Sequence, residues 1–195
     1  ELLRTLAPGE AGLAKKRLVV LAVLTRLRQI CCHPALAGGR RELGSGKFEA
    51  LFDLLEPLLA EGRKVLVFSQ FVECLKLIAA DMDARRGPYH VLTGSTGTRD
   101  RAGVVDAFAN GARPSWFLVS LKAGGTGLNL TAARDVVLFD PWWNPAVEAQ
   151  AIDRTHRIGQ DRTVVAYRLI AAGTIEERIA ELQARKAKLD KDVLG

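Results

Sequence analysis

Apolar residues along this chain fall into short, dense runs separated by stretches of mixed polarity. KVLVF at 64–68, Tyr89–Leu92, WFLVS at 116–120, DVVLF at 135–139 and Thr163–Leu169 each read as a strand. Between them, Val72–Arg86, Arg99–Ala109 and Pro145–Arg157 carry the wider apolar spacing of helices. The strands are nearly continuous in their hydrophobicity, as strands covered on both faces must be. The alternation of the two element types predicts an α/β domain with a parallel sheet and helices on both faces. Ligands on such sheets gather at the carboxyl ends of strands. Here those ends are Phe68-Ser69-Gln70, residues 120–127 and residues 140–144, so the chemistry is expected along one edge.

Two flanking segments break this rhythm. Leu13–Cys32 reads as a helix, with Leu18, Leu21, Val23, Leu24 and Leu27 dense enough for a buried face. Residues 37–46 hold four glycines and two arginines and read as a loop to the main domain. At the other end, Thr174 and Glu177 form a capping box for a helix running to about Lys191, with Glu176 suited to its positive start. Ile175, Ile179, Leu182 and Leu189 make an apolar seam that would pack across the domain or onto a partner. Lys186, Lys188 and Lys191 suit a solvated face near the carbonyl end.

Composition narrows the classes. With 195 residues and 48% hydrophobic content the chain can build one large core, with appendages. Lysine and arginine total 28 against 22 acidic residues, and the net charge of +6 permits phosphate attraction without establishing it. Cys31, Cys32 and Cys74 have neither zinc-site spacing nor the makings of a disulfide framework, which fits a reducing cytoplasm. No apolar run approaches the ~18 residues of a bilayer span. The longest, Leu18–Leu24, is bounded by Lys15, Lys16, Arg17 and Arg26. No signal peptide is evident. The chain opens at Glu1 and its sole methionine is Met82, so a piece of a longer protein is expected.

The candidate chemistry centres on residues 150–160, Gln-Ala-Ile-Asp-Arg-Thr-His-Arg-Ile-Gly-Gln. On a continuous helix, Gln150, Arg154 and Arg157 would share one face at i, i+4 and i+7. Two permanently charged guanidiniums and an amide suit a phosphoryl group in transfer; a solvated face with an Asp153–Arg157 pair is the plainer alternative. Gly124-Gly125-Thr126-Gly127 would let a ligand or neighbouring chain approach the backbone. It is no dinucleotide fingerprint, because Leu130 stands where the third glycine belongs. A phosphate-cradling loop around Gly46-Lys47 fails as well, since Arg41 and Phe48 occupy its diagnostic positions. No D-E-x-H or D-E-x-D segment offers a metal site. Of Trp142 and Trp143, one suits the core and one could stack on a base or brace a loop. Asn129 and Thr131, like Gly94-Ser95-Thr96, could meet phosphates or simply fix a turn. Cys31-Cys32-His33-Pro34 is better read as a helix end before proline than as a metal site.

Taken together, these residues resemble the C-terminal RecA-like helicase lobe of the Swi/Snf-type ATPases of superfamily two, over essentially the whole chain. Leu27-Arg28-Gln29-Ile30-Cys31 with His33-Pro34 is similar to the family's interlobe signature, and Val67-Phe68-Ser69-Gln70-Phe71 to motif four. Leu92-Thr93-Gly94-Ser95-Thr96 matches the next block, and residues 120–133 match motif five. Asp140–Pro145 and Gln150–Gln160 match the tryptophan loop and motif six, and Thr174-Ile175-Glu176-Glu177 begins what resembles the brace helix. The Pro-Trp-Trp-Asn-Pro wording at 141–145 is closer to bacterial and archaeal members.

The resemblance implies three parts: an interlobe helical segment and linker (1–46), a RecA-like lobe (47–172) and a C-terminal brace helix (173–195). It implies that Arg154 and Arg157 are arginine fingers reaching ATP held by the N-terminal RecA-like lobe of the same protein, with Gln150 assisting at the γ-phosphate. Gly125 and Gly127 would border the nucleotide. Ser95, Thr96, Lys122, Asn129, Thr131 and Trp143 would lie along the backbone of double-stranded DNA. Magnesium would be held mainly by the preceding lobe, with no metal ligand here, which explains the missing phosphate cradle. The implied protein is a monomeric, cytoplasmic, nucleoid-associated and membrane-free DNA translocase or remodeller, acting on bacterial or archaeal DNA rather than nucleosomes. This lobe alone would be inactive as an ATPase. Two other readings compete: a non-catalytic DNA-binding module, and a docking module using the last helix.

Overall fold

In a computed structural model, residues 8–124, 130–155 and 163–194 are described, with side chains described from 14 to 186 within those ranges. Five strands form one parallel sheet: β1 (Val65–Ser69), β2 (Tyr89–Leu92), β3 (Trp116–Ser120), β4 (Asp135–Leu138) and β5 (Val165–Arg168), in the order β2-β3-β1-β4-β5. Every pairing is parallel, with Val65 opposite both Trp116 and Asp135. The sheet expected from the apolar runs is the one observed.

Alternation along the strands sends successive side chains to opposite faces. Val65, Val67, Trp116, Leu118 and Val137 pack with helices α2 (Gly46–Ala60) and α3 (Val72–Arg85). Leu66, Phe68, Phe117, Val119 and Leu138 meet the other face, covered by α4 (Thr98–Asn110), α5 (Leu121–Gly124) and α6 (Pro145–Asp153). β1 and β3 are buried at every position, whereas most of β5 is exposed because it is an edge strand. The expectation of strands covered on both sides therefore fails at β5.

Helix α2 goes beyond the elements expected from the sequence. Its signals are present: Ser45 accepts a hydrogen bond from the Phe48 amide as N-cap, and Phe48, Leu51, Phe52, Leu55 and Leu58 recur at helical spacing and are buried. Its position directly after the glycine-rich segment, and Pro57 within it, mask the pattern. That segment itself contains a short 3-10 turn at Arg41–Leu43.

Helix α1 (Pro8–Cys32) forms as expected, but the expected buried face does not. Leu18, Val19, Val20, Leu21 and Val23 are 53–57% exposed, and Leu27 43%. Only the C-terminal turns are buried, at Arg28 and Cys32. The apolar residues encircle α1 instead of forming one stripe, and a helix of that kind needs cover from several sides. Among the described residues nothing supplies it. The last helix, α7 (Ile175–Leu194), packs against α1 and buries Ile179, while Leu182 of the expected seam is 56% exposed. The Leu189 side chain lies outside the described residues. No described helix is long and apolar enough to cross a membrane.

The capping box is present in modified form. Thr174 accepts from the Glu176 amide at 3.2 Å, and Glu177 reaches back one residue further, to the Gly173 amide at 2.9 Å. Glu176 does not face solvent at the helix start. It is fully buried, accepts from the Ala171 amide at 3.0 Å, and forms an ion pair with the buried Lys47 of α2. All three cysteines are free.

Candidate functional site

The carboxyl edge of the sheet is organised around Asp140, just after β4. Ser69, the last residue of β1, donates its hydroxyl to Asp140 at 2.5 Å, and Gln70 donates its side-chain amide at 2.6 Å. Arg28 enters from α1: its Nη1 donates to the Gln70 side-chain oxygen at 3.0 Å and its Nη2 to the Pro141 carbonyl. Nη2 also lies 3.8 Å from the Asp140 carboxylate. Burial pushes the Asp140 carboxyl up to about 6; the Ser69 hydrogen bond, Lys47 and Arg28 oppose this without cancelling it. Burial likewise lowers the Arg28 guanidinium from its ordinary value, with Asp140 opposing. A hydrogen bond with Cys74, followed by burial, holds the nearby Cys32 thiol well above the usual range.

The tryptophan loop is fastened on its other side by Glu148 of α6. This fully buried carboxylate accepts from the Trp142 amide at 2.7 Å, from Arg168 Nε of β5 at 3.1 Å and from Gln183 of α7 at 3.0 Å. The Gln183 amide also donates to the Trp142 carbonyl. Asn144 caps α6 by accepting from the Ala146 amide, with Pro145 in the first turn. Trp142 is half-buried while Trp143 is 45% exposed, its ring 5.4 Å from the Arg28 guanidinium. The core position expected for one of the two tryptophans is only partly filled: Trp142 packs against the core on the α6 face of the sheet without being enclosed by it.

The sequence-derived site residues divide between two edges. Ser95 and Thr96 follow β2, Lys122 follows β3 and Trp143 follows β4, so these four stand along the carboxyl edge. Thr93 organises the first pair: its hydroxyl lies 2.8 Å from that of Ser95, and its amide donates to Thr96 Oγ1 at 3.1 Å. Ser95 and Lys122 are exposed. Helix α6 must run back against the strand direction to join β4 to its parallel neighbour β5. Gln150 is exposed midway along it, and Arg154, its C-cap, therefore sits toward the amino edge, with 7% exposure. Thr131 precedes β4 at that same edge, lining a polar cavity of about 470 Å³ with Arg63, Lys64 and Arg134. The Leu130 amide donates to the Arg154 carbonyl at 3.3 Å, joining the segment after the glycine loop to the arginine-bearing helix. The expectation of one chemical edge holds for the first group and fails for the second, because loops and helices return the chain to the amino edge. The helix itself ends at Asp153, with Arg154 and Thr155 in a turn. Arg157, Gly125, Gly127 and Asn129 lie outside the described residues.

Sequence reasoning missed four groups. Arg28 appeared only as part of a motif, Asp140 only as a strand-end residue, and Glu148 and Gln183 not at all. A charged residue in an apolar neighbourhood was the available signal for Arg28 and Glu148. Partners 113 and 35 residues away in the chain were not legible from it.

Known proteins are similar to this chain in sequence and fold. The helicase conserved C-terminal domain model matches residues 46–159. A putative ATP-dependent helicase/translocase of Bacillus subtilis, YwqA, is 40% identical over 189 residues, covering 94% of this chain and 20% of that protein. The human chromatin-remodeling ATPase INO80 is 43% identical over 151 residues, 77% of this chain and 10% of its own length. The chain thus spans a fifth or less of the curated relatives it matches. Among solved structures, the Sulfolobus solfataricus SWI2/SNF2 ATPase C-terminal domain superposes with a TM-score of 0.73 at 35% identity, over 93% of this chain and 75% of that one. The core domain of the Sulfolobus ATPase gives 0.75 at 37% identity, over 90% and 36%. With its five-stranded parallel sheet, its motif four and tryptophan loop joined through Asp140, and its C-terminal helix fastened to α6, this chain belongs to the helicase conserved C-terminal domain family, as a RecA-like C-terminal lobe of the SWI2/SNF2 ATPase type.

Proposed function

We propose that this chain is the second half of a DNA-stimulated ATPase that translocates on, or remodels proteins along, double-stranded DNA. The observation that carries the reading is the hydrogen bond from the Leu130 amide to the Arg154 carbonyl. It makes neighbours of the two segments that the family resemblance assigns to the nucleotide border and to the arginine fingers. ATP is the substrate, held by a preceding lobe. Closure of the two lobes brings Arg154 and Arg157 to the γ-phosphate, where fixed guanidinium charge stabilises the transferring group. Gln150, exposed midway along α6, assists at the γ-phosphate. The family resemblance assigns magnesium mainly to the preceding lobe.

Ser95, Thr96, Lys122 and Trp143 share the carboxyl edge, and Thr131 stands apart in the basic cavity at the amino edge. The exposed Ser95 and half-buried Thr96 hydroxyls, a lysine and a half-exposed indole suit contact with phosphates and an exposed base face without base-edge readout. Repeated closure and opening then moves duplex past the lobe. The test uses the full-length protein: Arg157→Ala should lower DNA-stimulated turnover by about 10³-fold or more, as arginine fingers do. Unchanged turnover would remove the finger assignment.

A further inference from the structure

We propose that Arg28 is a positioning residue that locks helix α1 to the tryptophan loop, so that nucleic acid bound at this edge acts on the segment leading to the preceding lobe. The inference rests on the function proposed above, but its geometry stands independently of that function. Arg28 is 2% exposed, and its guanidinium joins three separate parts of the chain. One nitrogen donates to Gln70, in the loop after β1, and another to the Pro141 carbonyl, in the loop after β4. The charge is balanced by Asp140, 3.8 Å away, which itself holds Ser69 and Gln70. The cation also lies 5.6 Å from the Phe71 ring and 5.4 Å from that of Trp143.

The placement of this cation is telling. Burying a guanidinium is unfavourable unless its donors and charge are matched; Nε is buried without a partner, and the groups that match the two Nη donors and the charge belong to the two loops that bear on the proposed DNA edge. Toward its N-terminus α1 runs on with its apolar side chains exposed, so the helix is held to the lobe by its buried turns from Arg28 to Cys32 and by its packing with α7. Trp143 covers Arg28 and is itself 45% exposed. A base or sugar that displaces the Trp143 ring must therefore disturb the Arg28 fork, and through it the end of α1. Lysine in this place would keep the charge but could not serve Gln70 and Pro141 together, since only the planar fork reaches two acceptors in fixed directions.

The experiment compares the wild-type full-length protein with Arg28→Lys and Arg28→Met. It measures ATP turnover with and without duplex DNA, and amide exchange across residues 142–144. Losing a hydrogen bond to a charged group corresponds to about a tenfold change or more. Arg28→Met should therefore lower the DNA-stimulated rate about tenfold and leave the basal rate within about twofold. Exchange at 142–144 should rise about tenfold more than exchange of the β1 and β3 amides, which follows only the global loss of stability. Arg28→Lys should show the same loss of stimulation with smaller loss of thermal stability, because its charge still faces Asp140. Wild-type stimulation and exchange in Arg28→Met would overturn the proposal. Parallel loss of basal and stimulated rates, with exchange in β1 and β3 rising as much as at 142–144, would overturn it too, by reducing Arg28 to a structural part. If the wild-type protein shows no stimulation by DNA, the proposed function fails instead; the exchange at 142–144 then decides whether Arg28 holds the loop.

Discussion

Asp140→Asn should change how stability depends on pH, in a direction opposite to most carboxylates. The Asp140 carboxyl is completely enclosed, and burial raises it from 3.8 to about 6 despite Ser69, Lys47 and Arg28. In the unfolded chain it titrates near the ordinary value, so between about pH 4 and 6 the native state binds more protons than the unfolded state. The group's contribution is therefore fully present below about pH 4 and is lost as pH rises through about 6. The rise from 3.8 to about 6 corresponds to about 3 kcal/mol, at 1.36 kcal/mol for each tenfold change in proton affinity. Urea unfolding of wild type and Asp140→Asn across this pH range isolates the effect, because the other titrating groups are shared. Relative to the variant, wild type should lose about 3 kcal/mol between about pH 4 and 7. The asparagine also leaves Arg28 without its counter-charge, which shifts the whole variant curve downward but does not create a slope. A pH-independent difference, or one that favours wild type as pH rises, would refute the reasoning. It would mean that Arg28, Lys47 and the Ser69 hydroxyl outweigh burial.

Glu148→Ala would strip acceptors from Trp142, Arg168 and Gln183 at once; Arg168, 54% exposed, can turn to water, so chemical denaturation should show a loss of about 1–3 kcal/mol, the range for leaving buried donors unpaired. Lys47→Met should cost about 3–5 kcal/mol by stranding the buried Glu176 carboxylate, whereas adding Glu176→Leu should recover most of it; a double variant as unstable as the single one would contradict a desolvation-limited pair. In the full-length protein, Trp143→Ala should weaken duplex or single-strand binding by about 1–3 kcal/mol if a base stacks on its exposed face. Retention of the salt slope would separate that loss from a loss of phosphate contacts.

Much of this architecture follows from local pattern. A parallel sheet announces itself because strands covered on two faces must be apolar at consecutive positions, as VLVFS and WFLVS are. Helices α3, α4 and α7 follow from spacing, and α7 also from its capping residues. The resemblance of Ser69-Gln70, residues 140–145 and residues 150–160 to family motifs was likewise legible, because each is contiguous. Tertiary structure decided what contiguity cannot encode. Helix α2 was hidden by its proline and its glycine-rich approach, yet its cap and apolar face place it firmly in the core. The apolar density of α1 suggested burial, but burial depends on a second surface, and a sequence pattern cannot supply one. The division of the site between two edges came from the direction of α6, fixed by the parallel pairing of β4 and β5. Above all, only the fold brings Arg28 to Pro141 and Glu148 to Gln183. A sequence specifies which groups must be satisfied once buried; which distant partner satisfies each one is set by where packing of the apolar faces brings the chain.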